Sequence, residues 1–279
     1  KRAEIKTDEY SMSIGELINL YQNGEIDIHP EFQRYFRWSD KQKTSLIESI
    51  LLGIPVPPIF VAQRPDGIWD VVDGVQRLST IFQFVGVLKY DNGTQVSPLI
   101  LQGTKHLPSL EGVRWPSMDE DEGPNDLPSA QQLALKRARF NMSIILYDSD
   151  PRSKFELFQR LNTGGSPLTD QEVRNSILVS INRQFYGWLR KLASTPSFQE
   201  STPISERQRE EQYDLELVLR FLIFRKLPES ELTTTKIGDI SVFLTDRMLE
   251  IADPSFQLQY LLEEDAFKET FDLLEYVAG

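Results

Sequence analysis

Strand-like runs stop at Tyr147, and from Pro151 to the end of this 279-residue chain only helical periodicity remains. That change of period separates a mixed front half, residues 1–150, from an all-helical back half, residues 151–279. In the front half, Ser13 with Glu16 and Ser39 with Gln42 form capping-box patterns, each followed by apolar residues at helical spacing. The runs Ile59-Phe60-Val61-Ala62 and Ile68-Trp69-Asp70-Val71-Val72 flank a Pro65-Asp66-Gly67 turn and read as a hairpin. A helix through Leu78, Ile81, Phe82 and Val85 follows Asp73-Gly74. Between about 108 and 129 the pattern dissolves into an exposed acidic loop holding Asp119, Glu120, Asp121, Glu122 and Asp126. A helix carrying Lys136, Arg137 and Arg139 and the strand Ser143–Tyr147 close the half. After Pro151, apolar periodicity predicts helices through Phe155–Leu161, Val173–Ile181, Leu215–Phe224, Val242–Ile251 and Phe267–Val277.

Composition removes several chemistries. With no Cys, the chain has no disulfides, thiolate metal sites or cysteine nucleophile. Its two histidines, His29 and His106, argue against a His-rich metal centre and carry no pattern. No apolar run approaches the roughly 20 residues of a membrane span, so a cytoplasmic protein is expected. Thirty Lys and Arg against 42 Asp and Glu give a net charge of −12, so contact with nucleic acid has to be local.

Three segments can carry chemistry. In Val71-Val72-Asp73-Gly74-Val75-Gln76-Arg77-Leu78-Ser79-Thr80 a strand ends, a glycine turns, and a helix opens with Gln76 and Arg77. A helix start offers free N–H groups and partial positive charge, and a guanidinium there suits phosphate. Arg77 opposes the helix dipole, which an anionic ligand would explain; Asp73 can hold a divalent cation or orient Arg77. A plain turn, with Asp73 as helix cap and Arg77 in a surface ion pair, accounts for the same residues. The second segment, His29 to Lys43, interleaves Arg34, Arg37, Lys41 and Lys43 with Phe32, Tyr35, Phe36 and Trp38, as stacking plus charge requires. Taken alone, the segment is better explained as a core-lining loop with buried aromatics and solvated cations. The third, Leu161 to Asn175, joins two helices through Gly164-Gly165, with Thr169 and Glu172 capping the second. It lacks the Gly-Lys-Ser/Thr of a Walker phosphate loop. The four tryptophans read as packing residues.

In order and spacing these segments resemble a known family. Phe32-Gln33-Arg34, Trp38-Ser39, Leu46–Gly53, Ile54-Pro55-Val56-Pro57 and Asp73-Gly74-Val75-Gln76-Arg77 look like the N-terminal domain of GmrSD-type, modification-dependent restriction proteins. Phe155–Leu161, Asn162-Thr163-Gly164-Gly165, Leu168 and Glu172-Val173-Arg174-Asn175 resemble its second signature. The resemblance covers roughly residues 10 to 180; one departure is Val75, where the family usually has a second Gln. It implies an α+β fold with a ParB/sulfiredoxin-like small mixed sheet, and a site for a nucleotide or phosphodiester. Gln33, Arg34, Gly74, Ser79, Asn162 and Gly164 are then expected to bind the nucleotide. Asp73, Gln76 and Arg77 are the catalytic candidates, with Asp73 on Mg²⁺, and Arg37, Lys136 and Arg137 the DNA contacts.

The resemblance further implies triphosphate hydrolysis linked to DNA restriction in antiphage defence. Sulfiredoxin chemistry is closed, since it needs a Cys. The C-terminal His-Asn-His nuclease domain of many relatives has no counterpart here, so a nuclease is expected further along the native chain or on another subunit. Arg77→Ala is expected to abolish hydrolysis in a folded chain. Two other readings stand beside this one: a modified-base recognition module without turnover, and a regulatory subunit docking a separate nuclease.

Overall fold

The structure, a computed structural model, describes residues 5–28, 38–90, 93–116, 123–161, 169–253 and 255–278. The chain divides into two compact units, 5–148 and 149–279, and its fold is α+β.

In residues 5–148 a five-stranded mixed sheet has the order β1-β5-β3-β4-β2. Its strands are β1 (Thr7–Ser13), β2 (Ile26–Asp27), β3 (Ile59–Gln63), β4 (Trp69–Asp73) and β5 (Arg139–Ile145). β3 and β4 form the expected antiparallel hairpin, β5 runs parallel to β3, and β1 pairs antiparallel with β5 from Thr7↔Ile145 to Ser13↔Arg139. The helices are α1 (Ile14–Gln22), α2 (Asp40–Leu51), α3 (Val75–Phe84) and α4 (Ser129–Arg137). The capping box of Ser39 and Gln42 starts α2, and Ser13 accepts from the Glu16 N–H to start α1. Leu17, Ile47, Leu78, Phe82 and Leu135 from these helices share one apolar cluster with Ile59, Val61, Val71, Phe140, Met142 and Ile144 of the strands. Trp38, Trp69 and Trp115 pack against that cluster, as packing tryptophans should.

Because side chains alternate along a strand, Arg139, Asn141, Ser143 and Phe60 point to the sheet face away from this core. That face is closed at one end, where Ala62 and Ile145 are buried. It opens toward the exposed Asn141 and Arg139, with Ser143 and Phe60 half-buried between.

Two details differ from the sequence reading. Arg139 is the first residue of β5, not part of the preceding helix, because pairing with Ser13 claims its backbone. Thr7–Ser13 is a strand that the sequence leaves unmarked: only Met12 of it is buried, so no alternation announces it. The acidic stretch 119–122 lies outside the described residues; Asp126 is described and accepts from Arg114 Nε at 2.9 Å.

Residues 149–279 are helical: α5 (Pro151–Leu161), α6 (Asp170–Ile181), α7 (Arg183–Ala193), α8 (Pro196–Ser201), α9 (Glu206–Glu210), α10 (Tyr213–Lys226), α11 (Thr234–Ile237), α12 (Ile240–Ala252) and α13 (Tyr260–Ala278). Leu178, Phe185, Trp188, Leu219, Met248 and Phe267 belong to its core. The Phe198 ring packs against Phe267 and Phe271.

Candidate functional site

The β4–α3 turn is built by a change of register. Phe60 pairs with Asp73, but Val61 pairs with Val71, so β4 contains one residue more than β3 over this stretch. Such irregularities bend a strand and re-aim its side chains. Asp73 therefore ends β4 beside Phe60, with its side chain 44% exposed.

Gly74 follows with φ +104 and ψ 8 and serves as the N-cap of α3. A Cβ there would lie 2.3 Å from Ile59 Cδ1, and Ile59 is fully buried in the core. Only glycine meets both conditions. Among the described residues no side chain caps α3, and its first helical hydrogen bond runs from Leu78 N–H to Gly74 O at 2.9 Å. The first N–H groups of a helix find no partner within it, and they carry its positive end. By contrast α2, α6 and α9 all start with capping boxes.

Arg77 is only 9% exposed. Its Nη2 donates to Asp73 Oδ2 at 2.6 Å, and its Nη1 donates to the carbonyls of Pro57 and Pro58, the latter at 3.0 Å. The guanidinium thus fastens the proline-rich turn before β3 to the turn after β4. Of the plain alternatives, the Asp73–Arg77 ion pair is present, while an Asp73 cap is not. Gln76 Oε1 accepts from the Trp38 N–H at 3.4 Å, which brings the start of α2's approach to the same turn. Ser79 is buried on the next turn of α3, and its hydroxyl has no partner among the described residues.

The other candidates are dispersed or undescribed. Gln33, Arg34, Arg37 and His29 fall in 29–37, and Asn162 and Gly164 in 162–168, outside the described residues. Lys43 is buried and donates to Asp40 Oδ1 at 3.0 Å, so it is a packed ion pair and not an open cation. Lys136 and Arg137 are exposed in the last turn of α4, with Lys136 Nζ 5.5 Å from the Trp115 ring centroid.

The structure adds residues that the sequence did not single out. Arg64 donates from Nε to Asp70 at 2.9 Å and from Nη2 to Asp27 at 2.6 Å, tying β2 to the hairpin. Burial disfavours its charge, but Asp70 and then Asp27 outweigh that and hold its pKa above the ordinary value. In the second signature, Arg174 is 1% exposed. It donates from Nε to Gln171 at 2.8 Å, from Nη2 to Glu216 at 2.7 Å and from Nη1 to Ser241 Oγ at 3.2 Å, clamping α6 to α10 and α12. Asn175 donates to Gln212, which sits at φ +57 as the N-cap of α10. Thr169 and Glu172 form the expected capping box of α6. This signature, as far as it is described, is a polar framework.

Comparison with known proteins bears on what the turn serves. The profile described as GmrSD restriction endonuclease, N-terminal domain, matches residues 14–179, more than half of the chain. The chain belongs to the GmrSD N-terminal domain family. Neither a curated protein nor a solved structure matches it. Membership places this GmrSD N-terminal domain in a DNA-targeting restriction system, a form of antiviral defence. Among the described residues no helix is long and apolar enough to cross a membrane.

Proposed function

We propose that this GmrSD-type domain binds a nucleoside triphosphate at the β4–α3 turn and hydrolyses it in the service of DNA restriction. One observation carries the reading: a helix start capped by a positive-φ glycine in place of a polar side chain stands one residue after the half-exposed carboxylate of Asp73. The start of α3 takes phosphate oxygens, where helix polarity favours negative charge. Gln76 orients the attacked phosphate or the incoming water, and Arg77 keeps Asp73 aimed while adding positive charge. Hydrolysis forms a bond from water to the terminal phosphorus and breaks the bond to the leaving diphosphate oxygen.

Mg²⁺ suits this turn. It binds through one or two carboxylates plus substrate phosphates and water, and Asp73 is the carboxylate available. Among the described residues no cluster of three or more His, Cys, Asp or Glu offers an all-protein cage. The ion would neutralise phosphate charge. Gln33 and Arg34 complete the nucleotide site in this reading. Arg37, Lys136 and Arg137 contact DNA, and a nuclease domain or subunit acts on it.

Titration with each nucleoside triphosphate, with and without Mg²⁺, tests the reading through phosphate release. Asp73→Asn should still unfold in one cooperative thermal transition and lose Mg²⁺-dependent release. Full release from that variant, or no nucleotide bound by the wild type, overturns the assignment.

A second reading, DNA recognition without turnover, draws support from Arg77. Its guanidinium is engaged by Pro57, Pro58 and Asp73, so the cation nearest the turn has structural partners. Salt-dependent DNA binding, unaffected by any nucleotide, would favour it.

A further inference from the structure

Phe60 is a large apolar side chain in the wrong place for packing. It lies on β3, in the middle of the sheet, yet points away from α1, α2, α3 and α4 and belongs to neither core cluster formed by the described residues. It is half-buried, while its strand neighbours Ile59 and Val61 are fully buried. Its cross-strand partners are Asp73 on one side and Ser143 on the other. Along β5 the same face continues through Asn141 and Arg139, both exposed.

Neighbouring strands are about 4.8 Å apart, and alternate residues on one strand lie about 6.6 Å apart. A phosphate held at the start of α3 therefore has an aromatic face one strand away. Beyond that face lie a hydroxyl and an amide, groups able to meet the edge of a planar ring. An aromatic on an open sheet face with polar neighbours is the arrangement by which proteins stack nucleic-acid bases.

The geometry points to Phe60 as the platform on which the base of the bound nucleotide stacks, with Ser143 and Asn141 set to meet its edge. This rests on the proposed nucleotide site and deepens it. The ligand is recognised as a nucleoside unit, phosphate on α3 and base on β3, and not as a bare polyphosphate. Stacking is tolerant of base identity, so selectivity between bases falls to Ser143 and Asn141.

The experiment compares binding of nucleoside triphosphate and of inorganic tripolyphosphate to the whole chain. Phe60→Leu keeps apolar volume without a π face, and Phe60→Trp keeps the π face; melting temperatures establish that both are folded. The expected result is a loss of about 10-fold or more in nucleotide affinity for Phe60→Leu, with tripolyphosphate affinity unchanged. Phe60→Trp should bind as wild type and show quenching of the new indole by nucleotide. If Phe60→Leu binds nucleotide as tightly as wild type, the platform is refuted while the phosphate site stands. If both ligands weaken equally, Phe60 is acting through the turn, and the stacking role is refuted. If wild type binds neither ligand, the nucleotide site itself fails, and the platform with it.

Discussion

Arg77 reaches back one helical turn to place Nη2 2.6 Å from Asp73 Oδ2, and the same guanidinium holds the carbonyl of Pro58 at 3.0 Å. One side chain thus sets both the aim of the candidate catalytic carboxylate and the course of the chain entering β3. Loss of activity in an Arg77 variant therefore has two possible origins, and stability separates them.

Arg77→Ala should lower stability by about 1–3 kcal/mol, because the proline carbonyls and Asp73 lose their shared donor. Arg77→Lys should recover only part, since one ammonium cannot span the acceptors that a planar fork does. Denaturant midpoints at pH 7 measure this. A wild-type midpoint for Arg77→Ala would show that the guanidinium contributes nothing to the fold.

Gly74→Ala should cost roughly 3 kcal/mol or more, combining a disfavoured positive φ with overpacking against Ile59. Gly53→Ala is the control: its φ is +69, but nothing lies within 4 Å of an added Cβ. It should cost about 1 kcal/mol. Equal losses for the two would mean that close approach to Ile59 is not what demands glycine at position 74.

Arg174→Met should destabilise the helical unit by about 3 kcal/mol, because Glu216 Oε2 and Gln171 Oε1 lose the buried donor they share. Burial already pulls the Arg174 pKa down, against the opposing charges of Glu216 and Asp170. A double-mutant cycle with Glu216→Gln should give a coupling of about 1–3 kcal/mol. Additive effects would show that the pair is not a working contact.

Acid should weaken the same unit through Glu264. Hydrogen bonds from Lys191 and then Lys268, each at 2.7 Å, outweigh burial and lower its pKa from the ordinary 4.5 to about 2. A depressed carboxylate stabilises the folded state fully above its unfolded pKa, so this contribution fades as pH falls from 4.5 toward 2. Urea midpoints across that range should fall less steeply for Glu264→Gln than for wild type. Parallel curves would remove Glu264 from the account.

Helix starts were legible because their chemistry is local: Ser39 with Gln42 and Thr169 with Glu172 satisfy their own backbone within four residues. The strand–glycine–helix turn at Asp73-Gly74 was legible for the same reason. What stayed hidden depends on partners far along the chain. Pro57 and Pro58 meet Arg77 about 20 residues on, and Arg174, charged and thus expected outside, is buried by Glu216 and Ser241. Phe60 is one apolar residue of the strand-like run Ile59-Phe60-Val61-Ala62, and only strand pairing separates its face from that of Ile59 and Val61. β1 escaped notice because an exposed edge strand needs no apolar alternation.

The surplus residue of β4 has a consequence for how such chains tolerate length changes. Alternation makes every strand a two-state code, and a one-residue slip inverts whatever follows it. Inserting one residue between Phe60 and Val61 would leave β3 and β4 of matched length and rotate the carboxylate at their end toward the apolar layer. A single-codon insertion would thus erase the site while sparing the hairpin. In this segment the count of residues carries as much functional information as their identity.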